Sequence, residues 1–169
     1  MWKRGLMITC LFVVLTALSA CSPSKDEAWN EAVSNVKEVL EEAPKDTNKD
    51  RENFSYYKPE TFSITEKTQS NIVFEYDDQT YILFVNPNEN RESRLGYQSV
   101  KQKMDKADRL QAIETGDDFG YININMEKDK RPELIVSTGG VKMTTRTDLD
   151  HLAEDAKTMM KVVHSIQLK

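Results

Sequence analysis

Cysteine and histidine are scarce in this 169-residue chain, with two of each. Cys10 and Cys21 could close one disulfide at most, and two cysteines cannot make a four-cysteine metal site. His151 and His164 fall on one expected helix, about 140° apart around its axis at about 100° per residue, so they do not converge on one metal. Glycine is also sparse, at six residues. The chain has no phosphate-cradling glycine loop, no Gly-x-Ser-x-Gly and no His-Glu-x-x-His. Basic charge is outnumbered: 23 Lys and Arg stand against 28 Asp and Glu, a net charge of −5. A protein that binds nucleic acid in general needs a basic surface, so no nucleic-acid partner is expected.

Long apolar runs are missing except at the front. Met1-Trp2-Lys3-Arg4 is a short basic start, and Gly5 to Ala17 is apolar apart from Thr9 and Thr16. Leu18-Ser19-Ala20 is a small-residue cleavage region. No charge intervenes between Arg4 and Lys25, a length that also suits a spanning helix. Against a span, apolar density falls at Ser19-Ala20-Cys21, and Ser22-Pro23-Ser24 follows with no basic stop-transfer cluster.

Leu18-Ser19-Ala20-Cys21 resembles the lipobox of bacterial lipoproteins. The resemblance covers the first 21 residues and says nothing of the fold beyond them. It implies a diacylglyceryl group on the Cys21 sulfur, cleavage just before Cys21, and recognition through Leu18, Ser19 and Ala20. The expected segments are then 1–20 as signal peptide, 21–24 as a lipidated tether and 25–169 as one domain. Two acyl chains give a stable membrane anchor where one does not. The expected place is the extracytoplasmic face of a cell membrane. The excess of lysine over arginine and the frequent asparagine hint at a low-GC Gram-positive host. Cys10 would leave with the signal peptide and Cys21 would be acylated, so the mature domain would carry no disulfide and no thiol nucleophile. Without Lys3 and Arg4, 21 basic residues face 28 acidic ones, a net charge of −7.

Past the tether, Ser24 and Glu27 have the spacing of a capping box. Trp29, Ala32, Val33, Val36, Val39, Leu40 and Ala43 recur at threes and fours, a stripe about 120° wide. A helix is expected over 25–43, ended by Pro44. A polar linker or long loop follows over 44–53. Asp46, Asn48 and Asp50 imitate the start of an EF-hand loop, but Arg51 and Tyr57 stand where Gly and Glu are needed. Strands are expected over 61–66, 71–76 and 80–86, the last apolar on both faces and so covered on both sides. One or two helical turns fit 99–107. Further strands follow over 109–115, 119–126, 132–138 and 141–146, with Gly139-Gly140 as a hairpin turn. Thr147 and Asp150 are a possible cap for a second helix. Its stripe of Leu149, Leu152, Ala153, Ala156, Met159, Met160 and Val163 repeats the first stripe's spacing 120 residues on. The expected fold is α+β: an antiparallel sheet of six or seven strands flanked by an N-terminal and a C-terminal amphipathic helix.

No catalytic set assembles from these residues, and no metal or cofactor is expected. Ser34-Asn35-Val36-Lys37 satisfies the Ser-x-x-Lys of penicillin-recognising acyl transferases, but its Ser-x-Asn and Lys-Thr-Gly companions are missing. The expected function is a non-enzymatic binding or accessory module for an envelope protein or component. The alternatives are an envelope hydrolase using acidic residues and a structural or stress-related lipoprotein. Arg91, Arg94, Lys101, Lys103, Lys106 and Arg109 form a locally basic stretch in an acidic protein and are the expected partner contact.

Overall fold

The computed structural model describes residues 23–106, 108–116, 118–126 and 130–169. The Leu18-to-Cys21 motif lies outside them. Helix α1 spans Lys25–Glu41. Ser24 and Glu27 close the capping box: the Ser24 hydroxyl accepts from the Glu27 N–H, and the Glu27 carboxylate accepts from the Ser24 N–H. Ala28, Ala32, Val36, Val39 and Leu40 are buried, Trp29 and Val33 are half-buried, and Ala43 is exposed. The helix stops two residues earlier than its apolar stripe.

Seven antiparallel strands make the main sheet. They are β3 (Ser63–Lys67), β4 (Asn71–Tyr76), β5 (Gln79–Val85), β6 (Arg109–Thr115), β7 (Asp118–Asn125), β8 (Glu133–Thr138) and β9 (Val141–Arg146). Their order across the sheet is β3-β4-β5-β9-β8-β7-β6. Two hairpin meanders, β3-β4-β5 and β6-β7-β8-β9, thus join along the β5–β9 seam, with Tyr81 opposite Thr145 and Leu83 opposite Met143. Asp77 and Asp78 link β4 to β5 with φ of 51° and 57°. That is the left-handed backbone of a two-residue type I′ hairpin, which Asp tolerates better than most side chains. Gly139-Gly140 turns β8 into β9, as its sequence indicates.

One sheet face carries the core. Ile72, Phe74, Leu83, Ile122, Leu134, Val136 and Met143 are fully buried on it. Helix α3 (Leu152–His164) lies over β8 and β9, and α1 lies beside it over β6 and β7. The two helices run parallel: Asn35 donates to the Ala153 carbonyl, Glu38 pairs with Lys157, and the Val39 carbonyl meets His164. These contacts join residues 118, 119 and 125 apart. The equal spacing of the two apolar stripes therefore has a packing meaning. Corresponding positions stand at similar heights along one seam.

The other face is covered over half its width. Helix α2 (Leu95–Lys103) crosses it, with Tyr97 edge-on to Phe119 and Tyr121 at 5.5 and 6.0 Å between ring centres. Beneath it Phe119, Tyr121 and Asn123 are each 3% exposed. The β5 side of that face is open. Ile82 is 44% exposed, and the expectation that β5 is covered on both sides does not hold. Both long helices use the same face, so nothing from them reaches the other side of β5.

A second small sheet fastens the expected linker. Within 44–53 lies β1 (Lys49–Asp50); it pairs with β2 (Phe54–Tyr56), which pairs in turn with β10 (Gln167–Leu168). Gln167 and Leu168 are therefore held as paired strand. Asn48 clamps the Lys58 backbone from both sides, at 2.8 and 2.9 Å, which gives this residue of the partial calcium-loop pattern a structural task.

Candidate functional site

Antiparallel register brings the end of β4, the start of β5, the end of β9 and the start of α3 to one end of the molecule. Between them lies a cleft of about 430 Å³. Its apolar wall is Phe62, Tyr76 and Tyr81. Phe62 stacks on Tyr76 at 5.6 Å and 20°, and meets Tyr81 at 4.7 Å. Tyr76 is 44% exposed, so one face of an aromatic ring is available to whatever enters. Its polar wall is Asp77, Gln79, Arg131, Asp148, Glu154 and Asp155, with His151 at the side. Four carboxylates face one guanidinium, so the cleft is acidic.

Asp155 is the organising residue of that wall. It is 9% exposed, one turn into α3. Its carboxylate accepts the Tyr81 hydroxyl at 2.8 Å, the Gln79 amide at 3.0 Å and the Thr147 hydroxyl. Thr147, with Asp150 a possible cap by sequence, donates to Asp155, and His151 occupies the N-cap of α3 with no side-chain bond. Burial, and next the bond to the Asp155 carboxylate, push the Tyr81 phenol above its ordinary range, so the phenol keeps its proton and acts as a donor. Arg131 bridges outward from Gln79, which accepts from it at 3.2 Å, to the Asp148 carboxylate at 3.0 Å.

This arrangement suits recognition better than proton transfer. A general base needs a lone pair directed at substrate, within reach of the proton it takes. Asp155 has three donors on it, and Asp148 is paired with Arg131. What remains is a fixed pattern: an aromatic face, acidic groups and one cation. His151 and Glu154 stand at the exposed edge of the cleft. Among the described residues no group of three or more His, Cys, Asp or Glu is placed to hold a metal ion.

The basic stretch divides into two sets. The three arginines turn inward or pair. Arg91 meets the Asp118 carboxylate at 3.0 Å and donates to the His164 and Ile166 carbonyls, tying the end of α3 to β7. Arg94 pairs with Glu114 at 2.9 Å and lies over the Phe119 ring at 4.3 Å. Arg109 pairs with Asp26 in the first turn of α1. Lys101, Lys103 and Lys106 are exposed, and none of them is in an ion pair among the described residues. The six residues thus share a neighbourhood in sequence but not a role. Only the lysines remain as a surface.

His164, at the edge of the expected apolar stripe, is 3% exposed. Its Nδ1 is 3.0 Å from the Val39 carbonyl and its Nε2 is 3.4 Å from Asp118. Burial, then the Arg91 charge, hold its pKa below the usual histidine range against the opposing pull of Asp118. Asp155 is the residue that stripe counting passes over. Its signal in the sequence is an acid on the apolar ridge of Leu152, Ala156 and Met159, three residues after the first of them. Compared with family models, curated proteins and solved structures, the chain matches none.

Proposed function

We propose that this protein is a membrane-anchored extracytoplasmic lipoprotein, attached through lipid on Cys21, that acts as a non-enzymatic binding or accessory module for an envelope protein or component. The observation that carries the reading is the fate of α1. It begins four residues after Cys21, and its Ala28, Ala32 and Val36 sit at 0–1% exposure in the domain's own core. It is not a free stalk. A lipid on Cys21 would therefore be joined, with almost no slack, to a rigid domain that presents an acidic, aromatic-walled cleft and a separate lysine surface. The engagement of two of its four carboxylates, Asp155 and Asp148, supports binding over hydrolysis.

Cross-linking in native membranes, read by mass spectrometry, tests this. A discrete envelope partner is expected, captured less by a Glu154→Lys variant that reverses charge at the cleft edge. Recovery of abundant bystanders alone, unchanged by that substitution, would overturn the binding role.

A further inference from the structure

The anchor end of the domain has two sides of opposite charge. Arg109 opens β6, Asn125 closes β7 and Glu133 opens β8, all at this end. The first turn of α1 is pinned here by the 2.5 Å pair between Asp26 and Arg109. The segment that leads from α2 to β6 folds back against the same corner: Asp108 accepts from the Asp105 N–H at 2.8 Å and from the Met126 N–H at 2.9 Å. Lys106, and Lys101 and Lys103 in the last turn of α2, therefore come to the same end of the sheet as the start of α1, on the opposite face and across the β6 edge from it; Lys25 is also exposed at this end. Among the described residues at this corner, Asp26 is paired with Arg109, Glu27 is in the capping box, and Asp108 is on two backbone N–H groups. Asp105 is the one exposed acid between these lysines.

The acidic cleft is at the same end, on the far side of the start of α3, where Leu152 and the preceding Leu149 share a groove with Lys25. Its far wall, at the end of β4, is five strand spacings from β6 in the sheet order, which is about 24 Å at about 4.8 Å each. Four Cα steps separate Cys21 from Lys25, at most about 14 Å. A bilayer holding lipid on Cys21 would lie that close to the lysine side.

We propose that the Lys101–Lys103–Lys106 flank docks on anionic phospholipid headgroups and tilts the domain so that the acidic cleft stands clear of the bilayer. The proposal rests on lipidation at Cys21 and adds an orientation to it. The same negative surface attracts one edge and repels the other, so a single charge pattern sets the tilt. Chain length fixes the distance, and the partner follows from the complementarity between phosphate and three lysines that are in no ion pair among the described residues, Lys101 also lying 5.9 Å from the Tyr97 ring centre. Each lysine near such a surface favours contact by about fivefold in population. A net acidic domain needs such a local patch, because its overall charge opposes approach.

The test uses the mature lipidated protein in phosphatidylcholine vesicles, with or without phosphatidylglycerol. A fluorophore goes on Gln102→Cys in α2 or, separately, on Thr61→Cys, an exposed residue lining the cleft, with a quencher attached to headgroups. Phosphatidylglycerol is expected to raise quenching severalfold at position 102 and to lower it at position 61. Lys101→Glu, Lys103→Glu and Lys106→Glu combined, or high salt, are expected to abolish both changes. Equal quenching at position 102 in the two vesicle types, from protein that is demonstrably vesicle-bound, would overturn the docking and leave the lipoprotein reading standing. Protein that fails to stay on any vesicle, just as a Cys21→Ala variant would, would overturn the lipoprotein reading itself.

Discussion

Asp155 links three donors from two parts of the chain: Gln79 and Tyr81 on β5, and Thr147 after β9. An asparagine there would offer one acceptor oxygen and turn an NH₂ group toward donors. Asp155→Asn is expected to destabilise the domain by about 2–3 kcal/mol, because hydrogen bonds to a charged acceptor are lost and buried donors are left unmet. Urea titration of both proteins checks this; an unchanged midpoint would mean that the network does not hold the cleft wall. His164 provides a pH effect. Its folded pKa lies below the ordinary histidine value of about 6.5, so the unfolded chain takes the proton first. Stability is then full above about pH 6.5 and is lost as pH falls from there toward the folded value. Arg91 and Asp118 are the charges facing the ring. A His164→Gln variant is expected to lose this acid-side slope in thermal melts. An identical slope in both proteins would assign it to other groups. His164 could be read from sequence as a packed residue, because it sits at the stripe's edge. Its partners could not, since Val39 and Asp118 are 125 and 46 residues away in the chain.

Among the elements, hairpins and amphipathic helices were the most legible. Alternation placed Ile122 and Ile124 on the core face and Tyr121 and Asn123 on the other, as they stand. It could not say that α2 would bury that second set as well, because polar-side burial depends on where another element lands. The same limit explains β5. An apolar residue at Ile82 looks alike in sequence whether or not a helix covers it. β1, β2 and β10 escaped because two or three residues carry no period. The Gly139-Gly140 hairpin, by contrast, announces itself, and its tolerance is testable. Gly139 has φ +53°, and a Cβ there would lie 2.2 Å from the Asn90 carbonyl oxygen and 2.7 Å from the Arg91 Cα. Gly116 has φ +57° with nothing within 4 Å. Gly116→Ala is therefore expected to cost about 1 kcal/mol from conformation alone, and Gly139→Ala about 2–4 kcal/mol, because backbone must also move. Chemical denaturation of the pair checks the difference. Equal losses would show that the segment at Asn90 and Arg91 yields freely.

For the whole molecule, the chain's front and its folded part constrain each other. The antiparallel α+β architecture follows from the patterning of residues 25–169 and matches the expectation, with seven strands in the main sheet and both long helices on one face. Among the described residues no helix is long and apolar enough to cross a membrane. Under the proposed lipidation of Cys21, the burial of α1 in the core would keep the domain close to a bilayer with its cleft held clear of the surface. That proposal depends on one covalent step. Intact mass and N-terminal mapping of the protein extracted from membranes measure it directly. A chain that begins at Cys21 and carries a diacylglyceryl mass, lost together with membrane retention in Cys21→Ala, is the expected result. An unlipidated chain, or one still beginning at Met1, would contradict it.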